Sequence, residues 1–365
     1  RPPGRRPRRP PLDRNVRALA AVSLLTDASS DMIYPLLPVF LRSTLGASAG
    51  AIGLIEGAAE STAAVLKLAS GWWSDRAPRR KPVVVAGYAL SSAVRPLVAA
   101  AGSAGAVLAI RLLDRVGKGV RSAPRDALIA DSVAPAARGR AFGFHRAADH
   151  LGAVVGPLVA FALLEWGGLA VRTVFWLAAV PAAAAVVVLV VGVRETPRAI
   201  PPAPARPAPQ ATLAAPARLP RRFWAYLATV LLFTLGNSTD AFLLLRATEL
   251  GVPTASLPLL WAGFHVVKSA SSTPGGALSD RVGRAPLIVV GWLLYAAVYV
   301  GLARADAAWH AWALLGAYGL VFGLTEGTEK ALVADLAPAA SRGAAFGWYN
   351  LAIGLGALPA SLLFG

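Results

Sequence analysis

Gly71-Trp72-Trp73-Ser74-Asp75-Arg76-Ala77-Pro78-Arg79 returns 205 positions later as Gly276-Ala277-Leu278-Ser279-Asp280-Arg281-Val282-Gly283-Arg284. A second block returns 204 positions later: Ala130-Asp131, Arg138-Gly139 and Phe142-Gly143 reappear as Ala334-Asp335, Arg342-Gly343 and Phe346-Gly347. Two blocks at nearly one offset mark an internal repeat, so the chain is two halves built to one plan. Each block sits at the same end of matched apolar stretches, which gives both halves the same orientation.

Composition says what solvent those halves meet. Of 365 residues, 56% are hydrophobic and only 15% charged, with a mean hydropathy of +0.57. A soluble chain would carry about 25% charge. The sequence therefore predicts an all-α polytopic membrane protein, and its 35 Gly and 28 Pro suit spanning helices. A span takes about 20 mostly apolar residues. Eleven candidates fall at roughly 17–42, 51–74, 82–102, 105–131, 139–165, 172–193, 222–246, 255–279, 284–304, 308–335 and 342–365. Three of them, over 173–193, 285–303 and 343–365, hold no charge. The charged spans fail a plain hydropathy criterion, but charges at helical spacing suit helices that face protein or water. Zero Cys excludes a disulfide scaffold and a thiolate metal site.

The net charge of +17 is sorted by side. Ends and loops on one face hold 22 Lys and Arg, those on the other hold 4, and 10 lie inside spans. This asymmetry predicts a cytoplasmic N-terminus in a bacterial-type inner membrane, and it accounts for the charge without a nucleic acid partner. Residues 1–16 are expected to form a disordered basic N-terminus. Residues 194–221 are Pro-rich and read as a cytoplasmic linker between an N-terminal six-helix bundle over 17–193 and a C-terminal bundle over 222–365. No apolar stretch with a cleavage site precedes the first span, so no removable signal peptide is expected. Parallel halves around a central site are one plan of membrane transporters.

Gly71 to Lys81 resembles the signature loop between the second and third helices of the major facilitator superfamily, and Gly276 to Arg284 resembles its second-half copy. Gly143-x8-Gly152-x3-Gly156-Pro157 is similar to the fifth-helix signature of that family's antiporters. Arg111-x-x-Asp114-Arg115-x-Gly117 stands where the family often has a fourth-helix Arg–Gly motif. The resemblance covers nearly the whole chain. It implies two pseudo-symmetric six-helix bundles and secondary transport of a small molecule by a monomer, with no cofactor. The family has twelve helices and this sequence ends inside the eleventh, so continuation through a twelfth span is expected.

A charge at the bilayer centre costs about 2.5–3.5 kcal/mol on insertion scales, so each one needs a reason. The acids are Asp27, Asp31, Glu56, Glu60, Asp114, Asp126, Asp149, Asp240, Glu326 and Glu329. The bases are Lys67, Arg95, Arg111, Arg115, Lys118, Arg121, Arg125, Arg146, Lys268 and Lys330. Two reasons stand side by side: pairing that locks helices together, and work inside a wet cavity. Placement points to work, because the spans at 172–193 and 284–304 hold no interior charge and the one at 82–102 holds only Arg95. Those helices are peripheral in the family. On span four, Arg111, Asp114, Arg115, Lys118, Arg121 and Arg125 share an arc of about 120°. Asp27 and Asp31 stand one turn apart on span one, and Glu56 and Glu60 repeat the spacing on span two. Carboxylates so placed do not easily both stay ionised, so proton coupling is assigned first to Asp27 and Asp31. A static pair with Arg111 or Arg115 is the alternative. In the second half, Asn237, Asp240, His265, Lys268, Glu326, Glu329, Lys330 and Asn350 are the polar groups of cavity helices. His145 and His150 flank Asp149, and histidines five apart do not face each other well, so no metal site is expected.

The loop signature also has a mechanical reading. Arg76, Arg79, Arg80 and Lys81 are expected to anchor at lipid headgroups. By resemblance, Asp75 meets the N-terminus of the eleventh helix near Arg342, opposing its dipole. Asp280, within Gly276, Arg281 and Arg284, would do the same near Arg138. Such latches would hold the cytoplasmic side closed; topology anchoring alone is the other reading. On span five, Gly143, Gly152 and Gly156 allow close contact with a neighbouring helix, and Pro157 is expected to bend it. By resemblance, this contact seals the cavity from the membrane.

Together these readings predict proton-coupled export of a small molecule by alternating access. Uptake of an anionic metabolite or chelate is the alternative suggested by the span-four bases. Readings from another class are a non-transporting sensor and a membrane-embedded enzyme. The sequence lacks a nucleotide-binding loop and a convergent nucleophile, base or metal set, so neither an ATP-driven pump nor an enzyme is expected.

Overall fold

A computed structural model of the chain describes residues 11–37, 40–195, 218–236, 243, 246–247, 249–252 and 257–364. The N-terminal segment up to residue 10, most of the 194–221 linker, Asn237, Asp240 and the Glu56 side chain lie outside the described residues.

Among the described residues every regular element is helical. In order they are α1 Arg14–Ile33, α2 Ala49–Arg76, α3 Lys81–Val94, α4 Ala104–Asp131, α5 Arg138–Glu165, α6 Val171–Leu177, α7 Ala179–Gly192, α8 Arg221–Leu235, α9 Leu257–Val282, α10 Arg284–Arg304, α11 Ala308–Leu336 and α12 Arg342–Phe364. Several starts are fixed by side-chain caps. Asp13 accepts from the Asn15 N–H at 2.7 Å, while Ser48 and Ser103 accept from Ala51 and Ala106, each at 3.2 Å.

Not every expected span is one continuous helix. Beyond Ile33, span one tightens into a 3-10 turn over Tyr34–Leu36, where Pro35 has no N–H to give, and a π turn follows over Phe40–Thr44. Span six is two helices, α6 and α7, meeting at Ala178. Pro181 cannot donate to the Leu177 carbonyl one turn back, which accounts for the break. Pro157, by contrast, leaves α5 unbroken from Arg138 to Glu165.

Polarity runs opposite to that of a soluble fold. Arg111, Asp114, Arg115, Arg121, Arg125 and Asp126 of α4 are buried, whereas Val187, Val190 and Val191 of α7 and Val289, Val290 and Leu293 of α10 are exposed. Hydrocarbon accepts the valines and rejects the charges, so the arrangement fits a bilayer as solvent. By length and hydropathy alone, four helical stretches qualify as spans: Lys81–Ala100, Pro135–Glu165, Val171–Gly192 and Arg284–Arg304. The inward charges of α4 lower its mean hydropathy without reaching lipid.

In the first half α1 packs on α5 and α7, α2 and α3 pack on α4, and α3 reaches α7. In the second, α9 and α10 pack on α11, and α8 on α12. The halves meet chiefly through two pairs, α2 with α12 and α5 with α9. A Cβ on Gly71 would run into the Gly343 carbonyl, and one on Gly276 into the Gly139 carbonyl. The repeat offsets map the first contact onto the second. Phe142 and Phe346, which are equivalent by the same offset, touch with ring centroids 5.7 Å apart. Asp126 and Lys330, 204 positions apart, form an ion pair. Two equivalent positions touch each other only beside the axis that relates them, so the pseudo-twofold axis passes through both contacts.

Candidate functional site

A cavity of about 460 Å³ lies between the halves on this axis. The first half contributes Asp27 and Asp31 from α1, Lys67 from α2, Lys118, Arg121, Ser122, Arg125 and Asp126 from α4, and Arg146, Asp149 and His150 from α5. Opposite them stand Phe233 of α8, Tyr295 of α10, Thr325, Glu326, Glu329 and Lys330 of α11, and Tyr349 and Asn350 of α12. Among the described residues no cluster of three or more His, Asp or Glu is placed to hold a metal ion.

Ten of the residues assigned to a cavity from the sequence line it: Asp27, Asp31, Lys118, Arg121, Arg125, Asp149, Glu326, Glu329, Lys330 and Asn350. The α4 stripe, however, is not one cavity-facing ladder. Asp114 is gripped by Arg95 at 3.0 Å, and Arg95 also donates to the Thr26 carbonyl at 3.0 Å, tying α4 to α1 and to the turn that follows α3. Arg111 lies 3.9 Å from Asp114. Arg115 and Lys118 reach Glu60 at 3.5 and 3.9 Å, and that side chain is 57% exposed. Asp114 and Arg115 thus lock helices, Arg111 pairs within α4, and only the stretch from Lys118 onward faces the cavity. The split arises because the neighbours of α4 change along its length, which an arc on a helical wheel does not record.

His145, His265 and Lys268 also stand outside the cavity wall. His145 is fully buried with its Nδ1 3.6 Å from Asp149. His265 packs against Trp261, with rings 5.0 Å apart, and lies 5.8 Å from the His150 ring. Lys268 is 3.8 Å from Glu326 and sits 3.9 Å above the Phe322 ring.

Most cavity charges have a fixed partner. Asp126 takes Arg125 at 3.0 Å as well as Lys330, and Asp149 takes Arg146 at 2.8 Å together with the Ser23 hydroxyl. Glu326 meets His150 at 2.8 Å, and Glu329 accepts from the Tyr349 hydroxyl at 2.6 Å and the Trp292 indole at 3.1 Å. Asp27 and Asp31 differ. Both are half-buried, and neither forms a hydrogen bond or ion pair with any described residue, Arg111 and Arg115 included. Their position is set by bare backbone on α5. A Cβ on Gly152 would lie 2.6 Å from the Leu24 carbonyl and 3.0 Å from the Asp27 Cβ. One on Gly156 would lie 2.5 Å from the Ala28 carbonyl and 3.0 Å from the Asp31 Cβ. Gly143 does not continue this stripe, because it faces Ser272 and Gly276 of α9 and belongs to the contact between halves.

At one end of the axis the repeated blocks interlock. Asp75 accepts from the Gly343 and Ala344 N–H groups at the start of α12, both at 2.8 Å. Asp280 accepts from Gly139 and Arg140 at the start of α5, both at 2.9 Å. Behind each carboxylate lies a relay. Arg80 bridges Asp75, at 2.6 Å, to Asp131, which also holds Arg342. Arg284 bridges Asp280 to Asp335, the latter at 3.2 Å, and Asp335 holds Arg138 at 2.5 Å. Burial raises the Asp75 carboxyl from its ordinary value, opposed by Arg80 and the two backbone N–H groups.

The second-half relay uses the signature's final Arg284, but the first half uses Arg80, not Arg79. Arg79 is exposed, and Arg80, expected at the headgroups, is completely buried. The first loop carries one more residue between its Asp and its bridging Arg than the second, which closes through Gly283 at φ +94°. Arg76 folds back on Trp72, donating to its carbonyl at 2.9 Å, and Arg281 is exposed. Arg80, Asp131, Arg138, Asp335 and Arg342 had a signal in the sequence. They all belong to or adjoin the two repeated blocks, which only needed to be read against each other.

The family model described as Major Facilitator Superfamily matches residues 19–361. The chain belongs to the major facilitator superfamily. It is 32% identical over 365 residues to an uncharacterized MFS-type transporter, MJ1317, of Methanocaldococcus jannaschii, covering 97% of this chain and 88% of that protein. The human organic anion transporter MFSD10 (TETRAN) shares its fold with a TM-score of 0.74 at 16% identity, over 97% of this chain and 93% of that one. The E. coli fucose:proton symporter FucP gives a TM-score of 0.74 at 14% identity, over 95% and 90%. As a major facilitator superfamily transporter, the chain is a multi-pass membrane protein with the two-bundle all-α fold.

Proposed function

We propose that this transporter exports a small molecule in exchange for protons by alternating access, acting as a monomer in a bacterial-type inner membrane with its N-terminus in the cytoplasm. The 17–193 and 222–365 bundles would be the rocking units, joined by the 194–221 linker. The observation that carries this reading is the presence of Asp27 and Asp31 in a charged cavity without a fixed counter-ion among the described residues. A carboxylate so placed takes a proton in one arrangement of its neighbours and releases it when cations approach in another.

The latches supply the mechanical half. The latched face is the Arg-rich one, so it is assigned to the cytoplasm. Opening it requires Asp75 to leave the start of α12, Asp280 to leave the start of α5, and the axial Asp126–Lys330 pair to part. Buried pairs that must break and remake suit a two-state device, since each state satisfies them differently. Gly152 and Gly156 would keep α1 and α5 moving as one unit.

A second reading, proton-coupled uptake of an anion, is favoured by the cationic wall of Lys67, Lys118 and Arg121. Proteoliposomes with an imposed pH gradient and a panel of solutes separate the two. Export by exchange predicts solute flux opposite to proton flow, reversing with the gradient. Flux in the same direction as protons supports uptake, and flux indifferent to the gradient removes proton coupling.

A further inference from the structure

We propose that Arg121 anchors the acidic group of an amphiphilic organic anion, a carboxylate or phosphate monoester with an apolar or aromatic body, inside the central cavity. The inference rests on the reading of this cavity as the solute site, and it holds for either direction of flux.

Arg121 is 5% exposed and lines the cavity, yet its Nε and Nη1 are buried with no acceptor. Its guanidinium lies 4.1 Å above the Tyr88 ring, and no carboxylate among the described residues reaches it. The other arginines of the wall each hold a carboxylate: Arg125 holds Asp126 and donates to the Tyr88 hydroxyl at 3.3 Å, and Arg146 holds Asp149 through Nη1, with its Nε left buried without an acceptor. A charged donor buried without an acceptor is costly, and a planar fork of N–H groups matches a carboxylate or phosphate. An arriving acid would therefore satisfy the one cavity-wall guanidinium that no carboxylate among the described residues holds. Lys118, one turn back, and Lys67 of α2 add positive charge to the same wall, with Glu60 no nearer to Lys118 than 3.9 Å. Asp27 and Asp31 face this wall too and set a limit on how much negative charge it accepts.

The facing wall, which carries Glu326, Glu329 and Lys330, also holds an apolar patch. Val230 and Phe233 of α8, Tyr295 of α10, and Val321 and Phe322 of α11 are apolar or aromatic. Phe233 is held rigidly, stacked on Trp292 at 4.3 Å and edge-on to Tyr295 at 5.1 Å. A guanidinium without a carboxylate partner and an aromatic patch across a cavity of about 460 Å³ select a solute with one acidic end and one greasy end.

Isothermal titration of the full chain in lipid nanodiscs tests this with three probes that share one ring system, 1-naphthoate, 1-naphthylmethylammonium and 1-naphthalenemethanol, together with acetate. Naphthoate is expected to bind saturably, with the ammonium and acetate at least about tenfold weaker, since a charge-assisted contact or an aromatic body is lost in each. Arg121→Gln should weaken naphthoate by about tenfold or more while leaving naphthalenemethanol unchanged, and Arg121→Lys should fall between. Equal affinity for the ammonium and the carboxylate in the wild-type protein overturns the proposal, whether or not Arg121→Gln folds. So does unchanged naphthoate binding by a folded Arg121→Gln. Naphthoate binding without flux under any gradient would sink the transport reading and leave this one standing; proton-coupled flux of other solutes without naphthoate selectivity would do the reverse.

Discussion

Arg79 and Arg80 are neighbours with opposite fates, one exposed and one fully buried between Asp75 and Asp131. Removing one member of a buried ion network leaves uncompensated charge and costs about 3–5 kcal/mol. Arg80→Ala should therefore lower the detergent-solubilised melting temperature sharply, whereas Arg79→Ala should stay within about 0.5 kcal/mol. Equal melting of the two variants would contradict the relay. Asp31 is predicted at the same scale: Asp31→Asn should fold normally but blunt the response of flux to an imposed pH gradient in proteoliposomes. A full response would remove Asp31 from proton coupling. Buried charges were legible one by one in the sequence, because lipid does not tolerate them unshielded. Their partners were not. Asp126 with Lys330 and Asp131 with Arg342 span more than half the chain, and no local spacing encodes such pairs.

At the scale of elements, the α1–α5 contact depends on missing side chains. Even one methyl at Gly152 would press on the Leu24 carbonyl, whereas Gly57 on α2 has nothing within 4 Å of its would-be Cβ. Overpacking a tight contact costs about 1–3 kcal/mol. Gly152→Ala should accordingly reduce both thermal stability and flux, and Gly57→Ala should be neutral or gain up to about 1 kcal/mol from helix propensity. Similar loss in both variants would mean that helix propensity, not the α1 contact, governs these positions. Span positions followed from apolar length, but the breaks after Ile33 and at Ala178 did not, since one Pro can end a helix at one site and leave α5 intact at another.

For the whole molecule, the two latches are equivalent by the repeat, which makes their equivalence testable. The chain contains no Cys, so Ala141→Cys, at a buried position beside Phe142, gives a clean reporter of opening. Asp75→Asn and Asp280→Asn should each raise its alkylation rate by a similar factor, and the double variant by more than either. A response to only one of them would show that the halves do not share the closure. Sequence alone determined the all-α membrane class, the two parallel halves and the set of charges that must be shielded, because hydrocarbon penalises exposed charge and a repeated block fixes repeated structure. Only the tertiary structure decided which charges pair, which line the cavity and which cavity arginine no described carboxylate holds. Those outcomes depend on which helices meet at each depth, and that is set by packing between segments hundreds of residues apart.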